Sequence, residues 1–600
     1  MGRLPGMAYS SGITRSQQVQ FGGLRHHPNA GDGEIYDMEN MSARDYPLLR
    51  SRDKRRNGGE LVAATEMFFD NHAMWYVNAD GWLWYKRALL ILSVAYIGAG
   101  ETKFIRFGDR IVLMPAKKLV QAKYTVVGTA ANPAALPTSA EKGTAYVINT
   151  NNDPQAPEWS LFVWTGDEWD SMGAWVVSME AELTATKITI SDGTIYGAAA
   201  TANTLTINSP ASADFAKAGF QVGDAVEIDG LTTEPDNNKI AIIREIGSKS
   251  IAFSDYCFKI PLSASGEKQT SYSETGTITL RRSVPDMDVC FEFENRLWGA
   301  DKKEIFASAL GDPTNFYVFD GLSTDSWYVE LQTRGEITGG IGWHYPTFFR
   351  EGYILRIYGE DATTFQTSEI LAPGVAHGMQ HSLGAAGGLL FYYSPQGMMA
   401  YDGDYPQDLQ QVFGPSEYSG GLAQSDGTDY YIQLTPNQDG PRIYHYDGLR
   451  GIWTVEDSPN IDSMALTEGA ETLLPSIIAM TTGKELTTLK GPGGPWAENK
   501  AAVESFVEFA DFTMESPNRK AVSKLLLRLS LMGTSVTVKI QYDSSGTWKS
   551  VATLTAAGKR SYYLPVVPHR CDHFRIRIEA TGEWALHSLA IEYYVGSALH

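Results

Sequence analysis

From Glu60 onward, apolar and polar residues alternate in short runs broken by turn formers. ELVAATEMFFDNHAMWYVNADGWLWYKR, which starts there, reads as three strands, the second and third joined by an Asn-Ala-Asp-Gly turn. A period of two is what half-buried antiparallel strands require. ETKFIRFGDRIVLMPAKKLV repeats the pattern with Gly108-Asp109 at its turn. The cadence returns after Pro285 in VCFEFENRLWGADKKEIFASAL, read as two strands joined by Gly299-Ala300-Asp301. Two later stretches, GGLLFYYSPQGMMAYDGD and TDYYIQLTPNQDGPRIYHYDGLRGIWTVE, each run aromatic strand, turn, aromatic strand, Tyr-Asp-Gly. One such sheet cannot bury both faces alone. Radial stacking of several sheets buries them and leaves few long edges. The pattern therefore predicts a β-propeller, and about six to eight blades fit the period of such repeats.

Elsewhere the rhythm changes. Residues 1–59 have few periodic apolar positions and predict an extended N-terminal arm. Residues 60–118 are the first part of the propeller and 285–495 the remainder. Between them, 119–178 predict a small inserted β module and 179–284 an inserted β-barrel-like domain, both expected within one blade. Surface loops accept such insertions at modest entropic cost. Residues 496–600 alternate over long runs and predict a C-terminal β-sandwich. The fold class is all-β: a β-propeller with inserted small β domains and a C-terminal β-sandwich.

Composition sharpens this picture. At 600 residues the chain is too long for one core. Its 58 Gly and 30 Tyr suit many turns and half-buried strands. The formal charge of −21 argues against a protein that grips DNA; it does not argue against a surface that DNA slides past, and its default reading is that acidic charge keeps a large protein soluble. Cys257, Cys290 and Cys571 are dispersed and lack CxxC spacing, which argues against a disulfide framework or a zinc site. The start, MGRLPGMAYSSGITRSQQ, does not read as a signal peptide. The apolar run from Ala88 to Gly100 is too short for a bilayer span and predicts a buried strand or two.

Recognisable chemistry is sparse. GxSxG, HExxH and the P-loop are absent from the sequence. The expectation is no enzyme, no cofactor and no metal. His26-His27 is a tandem pair without nameable co-ligands. DGDYPQD (402–408) departs from a calcium loop, lacking Gly at its sixth position and a distal Glu. DSSGTW (543–548) approaches a sialidase Asp-box but reads as a hairpin turn. Two groups remain as candidate contacts. Arg50, Arg52, Lys54, Arg55 and Arg56 form a basic cluster suited to a partner. Trp164 and Trp169 flank a hairpin turn and could offer an exposed aromatic pair to a glycan or fibre, the alternative being that they pack as core.

Four stretches carry a family resemblance. NRLWGAD…EIFASALGDPTNF (295–316), DMENMSARDYPLLRSRDKR (37–55), LLFYYSPQGMMAYDG (389–403) and RSYYLPVVPHRCDHFRIRIEATGEWALHSLAIEYYVGS (560–597) resemble segments of tail-tube, nozzle or stabilisation proteins of tailed phages. GTAYVIN…LFVWTGDEWDSMG and GFQVGDAVEIDG resemble small modules of phage fibres, baseplates and tail proteins. The resemblance implies a structural virion protein, made in the host cytoplasm. It would form a ring with itself, commonly a hexamer, below the head-to-tail adaptor or portal-proximal ring. It would extend the DNA ejection channel, let genomic DNA pass without specific binding, dock fibres or spikes, and insert in no membrane. The alternative is a carbohydrate-binding β-propeller adhesin at a phage tail tip or cell surface. A propeller glycosidase ranks third.

Overall fold

The computed structural model describes residues 13–27, 30–70, 73–150, 158–195, 200–253, 256–437, 440–467, 475–491, 496–499 and 501–595. The chain divides into two compact units, residues 64–371 and residues 1–63 with 372–600. Both are built from β-strands; the described α-helical structure is the single turn Gln410–Phe413.

The unit 64–371 contains four four-stranded antiparallel meanders of propeller-blade type. The first runs Ala64–Phe69, Met74–Asn78, Trp82–Arg87, Leu90–Tyr96. The third runs Val289–Phe293, Arg296–Asp301, Glu304–Ala307, Trp327–Glu330, and the fourth starts with Gly339–Trp343. Sheets meet face to face through aromatics, such as Phe291 against Phe348 at 5.2 Å between ring centres. Gly340 makes that approach feasible, since a Cβ there would lie 2.8 Å from Val289. The apolar run at Ala88–Gly100 becomes an outermost strand, Leu90–Tyr96, and not a buried one: Leu89, Ile91 and Tyr96 are exposed.

The expected turn at Gly299-Ala300-Asp301 is also corrected. These residues lie inside the strand Arg296–Asp301, and Gly299 is there for packing, because a Cβ would meet the Met287 sulfur at 2.1 Å. The preceding hairpin turns at Glu294-Asn295, with φ 51° and 58°. Two successive positive φ values match the twist of the flanking strands.

The second sheet shows how insertion works. Lys103–Phe107, Arg110–Met114 and Lys118–Gln121 are followed by a separate four-stranded sheet spanning Val126–Ala130 to Trp169–Ala174. The chain then returns, and Val176–Ser178 adds the fourth strand of the interrupted sheet. The closed six-stranded barrel, Ala181–Ile195 through Ser271–Arg282, begins only after that sheet is complete. It therefore sits between two blades, whereas the sequence pattern placed both insertions within one. The ends of the barrel are joined by Arg282, which donates from Nη2 to the Met179 carbonyl at 3.1 Å. Close ends minimise the entropic cost of an insertion.

The other unit holds three more blade sheets. The sixth is Tyr418–Ser425, Asp429–Pro436, Arg442–Asp447 and Ile452–Asp457. The seventh combines Ile461–Thr467, Ser476–Thr481 and Glu485–Lys490 with Arg56–Glu60 from the leader. The C-terminal domain is organised by two very long paired strands, Lys520–Tyr542 and Phe574–Val595. Their register breaks between Met532 and Ser535. On one side of the break Lys520–Tyr542 recruits Gly558–Pro565, on the other Lys549–Leu554. A bulge is how a strand passes between layers of a sandwich.

The leader is not a free arm. Thr14–Gln18 and Leu49–Ser51 pair with Phe574–Val595, and Ile35–Glu39 pairs with Glu504–Phe509. Its Phe21, Leu24, Ile35, Met38 and Met41 join one core with blade and C-terminal residues, including Trp453 and Trp584. These apolar positions lie three to eleven residues apart and face changing partners, so no simple period marked them.

Candidate functional site

The basic cluster 50–56 splits in two. Arg52 and Arg55 are each only 9% exposed. Arg55 donates from Nη2 to Glu456 Oε2 at 2.9 Å and to the Asp457 carbonyl at 2.8 Å. Arg52 donates from Nη2 to Asp457 Oδ1 at 2.8 Å and from Nε to Asn40 Oδ1 at 2.6 Å. Arg442 completes the clamp by donating to Asp37 Oδ1 at 2.9 Å. Burial tends to raise the Asp457 carboxyl, but Arg55 and Arg52 outweigh it and hold the group below its usual range. Arg52 and Arg55 are therefore withdrawn as partner contacts, because they fasten the leader to the sixth sheet. Arg50 meets Asp45 and Asp53, Arg56 reaches Glu498 at 3.9 Å, and Lys54 is half-buried.

Trp164 and Trp169 are direct cross-strand neighbours, with ring centres 5.4 Å apart in an edge arrangement. Trp164 is 8% exposed, which corrects the expectation of an exposed pair. Trp169 donates from Nε1 to the Pro137 carbonyl at 2.7 Å and packs on Tyr146. The pair is the end of a small core, as amphipathic aromatics with a bonded N–H commonly are.

Other singled-out residues have structural partners. His26 Nδ1 lies 3.0 Å from the Tyr36 carbonyl, an acceptor only, so Nδ1 carries the proton. Asp543 and Ser544 have φ 51° and 49°, and Asp543 accepts from the Asp572 amide at 2.6 Å. DSSGTW is thus a hairpin turn. In 402–408, Asp402 accepts from the Asp404 amide and Asp408 from the Gln410 amide. No metal-ligating group of His, Cys, Asp and Glu occurs among the described residues. Cys290 is buried, which pushes its thiol up to about 12 and keeps it protonated.

Three features escaped the sequence reading. The first is a buried network in the leader-bearing unit. Asp429 Oδ2 stands 3.5 Å from His445 Nε2 and 2.9 Å from Lys490 Nζ, and His445 Nδ1 lies 3.2 Å from Thr454 Oγ1. Tyr431 stacks on the imidazole at 4.2 Å. Burial pushes the Asp429 carboxyl up, but His445 and Lys490 prevail and hold it at about 2. The network ties the sixth sheet to the seventh. A polar His amid the buried tyrosines of TYR-His-Tyr spacing, at 444–446, was its available signal.

The second is the clamp on the barrel. In GDPTN, Asp312 accepts from the amide and hydroxyl of Thr314. Asn315 then donates to the Gly223 carbonyl at 2.8 Å and accepts from the Ala225 amide at 3.3 Å. Arg282 and Asp224 form a buried ion pair at 2.6 Å beside it. A cleft of about 430 Å³ lies here, lined by Arg110, Gln121, Tyr124, Gln221 and Thr314 among others. The third is a charge bias in the C-terminal domain. Between 516 and 571 the chain has one carboxylate, Asp543, while Lys and Arg recur throughout.

No family model matches the chain, and no curated protein matches it. Among solved structures it is similar to the computationally designed Ika8 protein, at 10% identity over 73% of this chain and 99% of that one, with TM-score 0.31. It is also similar to BBS1N in complex with ARL6DN (12% identity, 57% and 86% covered, TM-score 0.22) and to an engineered GH43 glycoside hydrolase (10%, 51% and 97%, TM-score 0.20). Likeness at these TM-scores assigns no function. The sheets themselves define an all-β protein with β-propeller blades, two inserted β domains and a C-terminal sandwich.

Proposed function

We propose that the protein is a structural virion component of a tailed bacteriophage: a ring, commonly a hexamer, of the tail tube or nozzle below the head-to-tail adaptor. In this reading it extends the DNA ejection channel, docks fibres or spikes, and is not an enzyme. The observation that carries it is a scaffold of intact blade sheets with two folded domains spliced in, one of them between the third and fourth strands of a sheet that still closes. Saturated antiparallel ladders make a stiff wall. The ordered likeness of the four sequence stretches to tail proteins supports the same reading. The acidic surplus suits a wall past which DNA moves without sticking.

The adhesin reading loses its chosen platform, because Trp164 is buried. Against a glycosidase stands the sequence itself, which has neither repeated Asp-boxes nor a recognisable paired-carboxylate motif. The test is sedimentation of the purified chain with negative-stain imaging, run beside a glycan array. Rings with a central hole are expected. A chain that binds glycans while remaining monomeric at every concentration would overturn the reading in favour of the adhesin.

A further inference from the structure

The C-terminal domain presents a face whose charge opposes that of the whole chain. Its strands are Gly558–Pro565, Lys520–Tyr542, Phe574–Val595 and Thr14–Gln18, paired side by side in that order. Leu525, Leu527 and Leu529 point inward and are buried, which turns Lys524, Leu526 and Arg528 outward. Across the ladder, Ser561 sits opposite Arg528 and Tyr563 opposite Leu526, and Lys559 lies opposite Ser530. Tyr563 is 66% exposed.

The strands Lys520–Tyr542 and Gly558–Pro565 contain no carboxylate. The neighbouring Phe574–Val595 supplies Glu592, already shared by Arg15 and Lys524, Glu579, taken by Lys539 and Arg577, and Glu583 at the far end opposite Met532. Among the described residues, Arg528 and Lys559 have no carboxylate within ion-pair distance. Their field is felt locally: burial, Lys559 and Arg528 all push the His587 imidazole below its ordinary value. In a chain with 70 acidic and 49 basic side chains, cations left unneutralised around an exposed Tyr mark a surface that awaits an anionic counterpart.

The same unit offers one. The segment 402–408, a turn running into the short edge strand Gln407–Asp408, exposes Asp402, Asp404 and Asp408 around Tyr405, itself exposed, and no cation pairs with them among the described residues. We infer that the face carrying Arg528, Lys559 and Tyr563 docks on the Asp402–Asp408 segment of a second copy of this chain. Two different patches meeting head to tail make a heterologous contact, the kind that builds rings. The inference rests on the ring reading and names its interface.

The experiment is sedimentation equilibrium of the full chain at low and high ionic strength, for wild type, Arg528→Glu/Lys559→Glu and Asp402→Lys/Asp404→Lys. Thermal melts confirm that both variants fold. The expected result is salt-sensitive self-association, about tenfold weaker or more in each variant and recovered on mixing the two. Two results would overturn it: a wild-type chain that stays monomeric at low salt, or association indifferent to either charge reversal. Indifference to charge reversal leaves ring formation standing through another surface. The ring reading itself falls only on the glycan-binding monomer described above.

Discussion

Two groups of cations in the leader-bearing unit behave in opposite ways. Arg52 and Arg55 stand in the densest basic run of the chain, yet they are buried against Glu456 and Asp457. Arg528 and Lys559 are 31 residues apart in sequence, and strand pairing brings them to one outward face. Charge density along the chain thus misreports charge at the surface. What decides is whether a carboxylate is folded against the cation. A buried Arg is held by its partner because leaving either charge alone is costly, whereas an exposed one costs little to keep unpaired.

The comparison is broken most forcefully at Arg55. Arg55→Ala removes the donor to Glu456 and leaves that carboxylate, 7% exposed, beside Arg52 alone at 3.6 Å. A loss of about 3–5 kcal/mol is expected. Chemical denaturation should show it, and hydrogen exchange should show the leader strands opening with it. A melt within 1 kcal/mol (about the size of a surface effect) of wild type would mean that the clamp is ornamental. Arg55→Lys should recover only part of the loss, since an ammonium cannot reproduce the paired guanidinium bonds to Glu456 and Asp457.

A middling effect belongs to Asp429, whose partner Lys490 is a cation of the inward kind. Its carboxyl is held at about 2 in the folded chain against an ordinary value near 3.8. A depressed carboxylate contributes stability that is complete above its unfolded value and lost as pH falls through its folded one. The window therefore runs from about pH 4 down to about 2, and the contribution is roughly 2 kcal/mol. Asp429→Asn should be less stable than wild type at pH 7, and the gap should close on acidification through that window. A gap that is the same at pH 7 and at pH 3 would show that the contacts of Asp429 with Lys490 and His445 carry no net stability.

These cases show what was legible. The alternation in 60–118 and 285–495 announced blade strands because each strand has one face in a core, and the turn signals lay close to the true hairpins. Where it misled, packing was the cause: Gly299 looks like a turn glycine, but Met287 needs its missing side chain. Leader strands such as Ile35–Glu39 and Arg56–Glu60 were hidden because their partner strands lie hundreds of residues away, so no local period records the pairing. Trp164 and Trp169 were rightly read as flanking a hairpin, but exposure depends on what lies over the hairpin, here Pro137 and Tyr146. The face around Arg528 had a sequence signal, the near absence of carboxylates between 516 and 571, which only register converts into a surface.

The smallest effect sharpens the comparison. Arg528→Ala deletes an exposed, unpaired cation, so the stability of the isolated chain should move by less than about 0.5 kcal/mol. Its neighbour His587 should nevertheless respond. That imidazole is lowered by burial, by Lys559 and by Arg528, and it lies 2.8 Å from Ser530 Oγ. Removing one of the two cations raises its titration midpoint toward the ordinary histidine value, and added salt should shrink the difference by screening. Burial remains, so the midpoint stays below that value in the variant. Histidine-selective NMR across the pH range reads this directly. A midpoint unchanged at low salt would mean that Arg528 projects away from the face, and the contrast with Arg55 would then be one of exposure alone.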